Sequence, residues 1–236
     1  ASISPAEASV AFFIALSMHE PKFVKMDRTT HLRNFRKVFD HIFFHADKIL
    51  LSVFVNSIVW GLSSFFAVWL FQKYWDLNGI SLTYFGLIWS VYNISTGIVG
   101  KYVHSLETKL GPVPLLFFIA LAPIAGYFGM AATSGYLGVG LGLLFYLSRG
   151  IRGVLLRDAL NWRTPSEFRA TTNSLESFFF RLGFAIFGPG VGYLIDQRGL
   201  NFAMNTLGLV YVALFFITML PFIRQVRAVS PKYIPE

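Results

Sequence analysis

Apolar residues in this chain are gathered into long runs, separated by short polar connections. Six runs stand out, at residues 49–71, 82–100, 113–132, 136–148, 171–195 and 202–222. About 20 residues rising 1.5 Å each span the roughly 30 Å hydrocarbon core of a bilayer. A backbone in hydrocarbon must satisfy its own hydrogen bonds, so each run predicts a helix. The fourth run is the weakest, because Arg149 and Arg152 interrupt a helix expected to continue to Leu156. The fold class expected is all-α: a polytopic membrane protein with a six-helix bundle over residues 49–224.

The connections carry the orientation. Of the 20 Lys and Arg residues, 17 fall on one set of alternate connections, only Lys73 and Arg198 fall on the other, and Arg181 lies within a run. The positive-inside rule then places Glu20 and the C-terminal Glu236 in the cytoplasm, in an inner or plasma membrane. Residues 1–18 are apolar apart from Glu7 and short for a span, and read as the end of a truncated transmembrane helix. Residues 19–48 read as a cytoplasmic connector. In it Phe35, Val38, Phe39, Ile42 and Phe43 recur at helical spacing among charges, as in an amphipathic helix lying on headgroups. Residues 225–236 form a cytoplasmic tail.

Composition excludes several classes. Hydrophobic residues make up 55% and charged residues 14%, with mean hydropathy +0.57, beyond the apolar share of a soluble domain. The net charge of +8 is placed by membrane topology, which argues against nucleic acid as a partner. The absence of cysteine rules out disulfides and thiolate metal sites. His31, His41 and His45 lack a partner arrangement that would hold a metal. No cofactor motif is present, and no nucleophile with its base or pair of catalytic carboxylates emerges, so an enzyme is not expected.

Shifting the chain by 88 positions places Leu106-Glu-Thr-Lys-Leu-Gly111 on Leu194-Ile-Asp-Gln-Arg-Gly199 and matches Thr83 with Thr171, Leu87 with Leu175, Ile98 with Ile186, Gly100 with Gly188 and Val103 with Val191. Three helices followed by three in the opposite orientation make an inverted repeat, an architecture of transporters. Several motifs then carry a resemblance: Arg149-Gly150, Asn161, Pro165, the run from Arg169 to Leu175, Arg181, Gly188-Pro189-x-x-Gly192-x-Leu194-x-Asp196-x-x-Gly199, and Tyr84-Phe-Gly-Leu87 leading to Leu106-x-x-Lys-Leu-Gly111. Over residues 20–227 the chain resembles the C-terminal six-helix half of the major facilitator superfamily. It departs from that family's loop pattern Gly-x-Leu-Ala-Asp-Arg-x-Gly at His104 and Thr108. The resemblance implies a secondary active transporter that moves a small solute by alternating access, with a missing N-terminal six-helix half and the lipid bilayer as partners. The alternative is a non-transporting membrane interaction or regulatory protein built on the same bundle.

Helical faces nominate the site. Asn56, Trp60, Ser63 and Ser64 form one stripe in the first helix, and Trp89, Asn93 and Thr96 form another in the second, with Tyr92 beside it. An amide in hydrocarbon needs a partner, so these stripes face the bundle or water. Intramembrane charges are costly and call for a partner, water or a task. Arg149 and Arg152 lie at a depth comparable with Glu176, which predicts a bridge holding the fourth and fifth helices together, with a gating or coupling role. Arg181 lies near the middle of its helix, about 140° from Glu176, and the repeat superposes it on Asn93. Its planar guanidinium suits carboxylate or phosphate. The substrate-binding candidates are Asn56, Trp60, Trp89, Asn93 and Arg181. Gly138, Gly142, Gly150, Gly183, Gly188 and Gly192 are expected to allow close helix approach, and Pro189 to permit a bend.

Overall fold

In a computed structural model, residues 48–229 and Phe39, Asp40 and Ile42 are described. The expected truncated helix over 1–18, most of the amphipathic connector with its three histidines, and the tail from 230 lie outside the described residues. Of the connector, Ile42 is buried against the bundle core and Phe39 packs on its edge.

Six helices follow: α1 (Lys48–Leu77), α2 (Leu82–Leu110), α3 (Pro112–Ala132), α4 (Gly135–Arg163), α5 (Arg169–Arg198) and α6 (Leu200–Val229), with a 3₁₀ turn at Ser166–Phe168 before α5. All but α2 are long and apolar enough to cross a membrane. Asn93, with Ser90, Ser95 and Thr96 around it, leaves α2 as the most polar of the expected spans, whereas the sequence pattern points to α4. That helix runs unbroken to Arg163, because neither of the two arginines that interrupt its apolar run is forced into apolar packing: Arg149 stays exposed and Arg152 has polar partners. No strand occurs among the described residues.

The helices alternate in direction. The ends of α1, α3 and α5 meet the starts of α4 and α6 around Asn78, Ser134 and Asn201, and Gly135 donates its N–H to Asn78 Oδ1 at 2.7 Å. At the opposite end, Ile49, Glu107, Pro112, Arg163 and Val226 come together. Helices α1 and α4 sit at the centre, with α1 packing on α5, α2 on α4, α3 on α4 and α6, and α5 on α6. Interhelical hydrogen bonds from small polar side chains bind this core, since a hydroxyl in hydrocarbon otherwise has no acceptor. Ser64 Oγ donates to Phe145 O at 3.3 Å, Ser148 Oγ to Ile119 O at 2.8 Å and Thr96 Oγ1 to Tyr146 O at 3.0 Å.

Two joints are near copies of each other. Gly111 ends α2 at φ 77°, ψ 169°, and Gly199 ends α5 at φ 83°, ψ 167°; each starts the next helix without an intervening loop. Each glycine N–H caps the helix four residues back, on Glu107 O at 2.8 Å and Ile195 O at 2.9 Å. A side chain at either position would be strained by the positive φ. The joints stand 88 residues apart, the shift found in the sequence. Gly150 brings α4 against α2, where a Cβ would stand 2.8 Å from Thr96 O, and Gly142 and Gly138 receive the rings of Tyr92 and Tyr74. Gly183 likewise meets Leu62, but the expectation fails for Gly188, which faces only Phe184 of its own helix, and for Gly192, which has open space around it. Pro189 is accommodated within α5, which continues to Arg198.

Candidate functional site

The polar stripe of α1 points inward. Asn56 gives Nδ2–H bonds to Ser52 O at 2.8 Å and Thr218 O at 3.3 Å, and its Oδ1 accepts from Trp60 Nε1 at 3.0 Å. Thr218 belongs to a π-helical segment of α6, Phe215–Met219, so the amide bridges α1 to an irregular stretch of backbone. Asn56 and Trp60 are both buried, and the Trp60 ring packs on Tyr211 at 5.6 Å. Asn56 has used both its donors and its acceptor internally, and Trp60 its donor. In this structure these two residues, expected from the sequence to contact a solute, tie α1 to α6.

The stripe of α2 divides. Trp89 is half-buried and turns into an aromatic cluster, with ring centroids 5.2 Å from Trp75, 6.0 Å from Phe71 and 6.1 Å from Tyr146. Tyr92 is buried and its hydroxyl donates to Val139 O of α4. Asn93 faces outward: it is exposed, with Nδ2 donating to Trp89 O at 2.8 Å and Oδ1 left open.

Of the two arginines predicted as alternatives to bridge Glu176, Arg152 does so. Arg152 Nη1 stands 4.0 Å from Glu176 Oε1 and donates to Ser57 O at 3.0 Å, joining α4, α5 and α1. The pair is shielded, with side-chain exposures of 18% and 11%. Arg152 Nε and the nearby Thr172 Oγ1 are buried with no partner, so this junction is incompletely satisfied. Arg149 takes no part. It is exposed and lies over the Tyr146 ring of its own helix at 5.9 Å.

Arg181 is exposed on α5 and makes no ion pair among the described residues. It borders an open cleft of about 580 Å³ with Asn173, Ser174, Ser177, Phe178 and Arg157. Arg157 and the three polar α5 residues are absent from the sequence-derived candidates. The signal for part of this set lies in the sequence nonetheless, because Asn173, Ser177 and Arg181 recur every four residues and form one row on the helix. Arg157 comes from another helix, and only packing brings it there. No group of three or more acidic or His side chains suited to a metal occurs among the described residues.

The structure therefore separates the candidates into two sets. Asn56 and Trp60 lie at the α1–α6 contact, Trp89 in the aromatic cluster, and Arg152 with Glu176 inside the bundle. Asn93 and Arg181 lie on open faces, and these are the positions that the 88-residue shift superposes. Helices α2 and α5 are the least covered: among described residues only Tyr92 and Val103 of α2, and Thr172, Leu175 and Glu176 of α5, are buried. Compared with known proteins, the chain matches no family model, no curated protein and no solved structure.

Proposed function

We infer that this chain is one six-helix half of a secondary transporter of the major facilitator type, which moves a small solute by alternating access. The observation that carries this reading is the pair of open faces on α2 and α5. Each combines exposed apolar residues, such as Leu87 and Ile94 on α2 and Phe178 and Ile186 on α5, with a polar group, Asn93 or Arg181, that lipid solvates badly. A surface of mixed character at membrane depth suits contact with a second bundle around a water-filled path. The matched glycine joints and the packing scheme support two three-helix units: exchanging the first three helices with the last three maps α1·α5 onto α4·α2 and α2·α3 onto α5·α6, both of which are contacts in this structure.

The geometry supports a division of labour. Asn56, Trp60 and the serine bonds hold α1, α4 and α6 as a rigid body. The Arg152–Glu176–Ser57 junction ties α5 to that body at a contact loose enough to break and reform, a suitable place for gating or coupling. The open faces bind the solute and the opposing bundle. Solute exchange in proteoliposomes holding the purified full-length protein tests this. Saturable counterflow of at least one member of a panel of sugars, amino acids and organic anions is expected. A folded, monodisperse protein that exchanges none of them would favour the membrane interaction reading.

A further inference from the structure

The charge on the open face of α5 is concentrated in one cleft. Asn173, Ser177 and Arg181 form a row about 12 Å long at four-residue steps, Ser174 lies beside it, and Arg157 reaches in from α4. Glu176 is turned about 140° from Arg181 and stands against Arg152, so the cleft is lined by two guanidiniums and no carboxylate. Neither Arg157 nor Arg181 has an ion-pair partner among the described residues. Asn173 gives its Nδ2–H to Asn161 Oδ1 at 3.0 Å, while its own Oδ1 is buried with nothing to accept from.

These groups define a ligand. Arg181, unpaired near the middle of its span, calls for a counter-charge, Arg157 joins it from beyond the apolar run of α4, and the guanidinium fork matches the two oxygens of a carboxylate or phosphate. The exposed hydroxyls of Ser174 and Ser177 add neutral donors along the same row.

We propose that this cleft is an anion-binding site and that the transported solute is a small organic anion, its carboxylate or phosphate held between Arg157 and Arg181 with the Ser174 and Ser177 hydroxyls beside it. The solute assignment rests on the transporter reading; the anion site itself rests only on the geometry. Phe178 supplies the apolar wall against which a short carbon skeleton packs.

The test is calorimetric titration of the purified full-length protein in phosphatidylcholine nanodiscs with lactate, with inorganic phosphate, and with glycerol as a neutral control. Saturable binding of lactate or phosphate, without glycerol binding, is expected. Arg157→Ala and Arg181→Ala should each weaken it at least tenfold, and Arg181→Lys should weaken it less. Ser177→Ala, at an exposed position with little bearing on folding, should weaken it severalfold. Anions that bind no better than glycerol, or that bind equally to wild type and both alanine variants, overturn the site. Nanodiscs containing phosphatidylglycerol distinguish a lipid headgroup from a free solute: binding of that lipid alone, with neither free anion bound, overturns the solute assignment. Exchange of labelled lactate in proteoliposomes separates the two claims. Binding without exchange of any solute counts against the transporter reading and leaves the anion site standing. Exchange of a neutral solute that is unimpaired in Arg181→Ala leaves transport standing and overturns the solute assignment.

Discussion

Replacing Glu176 by glutamine removes one charge from the junction of α1, α4 and α5 while keeping the shape of the side chain. The carboxylate stands 4.0 Å from Arg152 Nη1, and neither side chain is as much as one-fifth exposed. At an effective dielectric of about 20, unit charges at that distance attract by about 4 kcal/mol, and breaking a shielded pair from one side costs roughly 3–5 kcal/mol. Ser57 O still accepts from Arg152 at 3.0 Å, which offsets part of the loss. The lower end applies, about 3 kcal/mol, or roughly a hundredfold in the unfolding equilibrium. Titrating the purified protein with a denaturing detergent and following tryptophan fluorescence measures it. The double variant Arg152→Met/Glu176→Gln removes both charges and should return to within about 1 kcal/mol of wild type, since the cost lies in the stranded cation. A Glu176→Gln protein as stable as wild type, or a double variant whose loss equals the sum of the two singles, would refute this reasoning.

Gly150→Ala places a methyl group 2.8 Å from Thr96 O, a backbone atom that moves only with α2. It should lower stability by about 1–3 kcal/mol in the same titration, and a neutral result would mean that α2 and α4 are not in contact there. Asn78 and Ser134 share one end of the bundle, and Lys109 and Arg163 lie toward the other. Single cysteines at the first two should label from outside the cell and those at the last two only after permeabilisation; the reverse pattern would invert the topology. Glu107 lies near the end of α2, beyond the apolar run, where burial raises its carboxyl pKa, with His104 opposing and Asp158 adding to the rise. A carboxyl raised in the folded state stabilises the fold below its unfolded pKa and loses that contribution as pH rises through the folded value. Glu107→Gln should therefore flatten the decline in stability between acidic and neutral pH, and an unchanged slope would remove Glu107 from that linkage.

The spans were legible because hydrocarbon leaves a chain few options: runs of about 20 apolar residues form helices, and Gly111 and Gly199 mark where two of them end. The Arg152–Glu176 contact was legible from depth alone, since a buried charge must find a partner. Which arginine fills that role was not, because Arg149 and Arg152 differ by 60° of azimuth, and only the packing of α4 against α1 and α2 decides which one points inward. The same limit governs Asn56 and Asn93. Both sit in polar stripes of similar composition, yet α1 is surrounded by neighbours and α2 is not, so one amide is enclosed while the other stays open. The π-helical segment that receives Asn56 has no sequence signal, because Phe215–Met219 is an ordinary apolar run. Arg157 enters the cleft only through the approach of α4 to α5.

The most direct measurement is water access at the open faces. The chain has no cysteine, so single cysteines at Asn93, Ser177 and the exposed α6 residue Ile217 can be reacted with a charged, membrane-impermeant thiol reagent in native membranes. If α2 and α5 line an aqueous path, Asn93→Cys and Ser177→Cys react readily and Ile217→Cys, facing lipid, does not. Asn93→Cys and Ser177→Cys as unreactive as Ile217→Cys would mean that both faces lie against lipid or closed protein, which contradicts a solute path between two bundles.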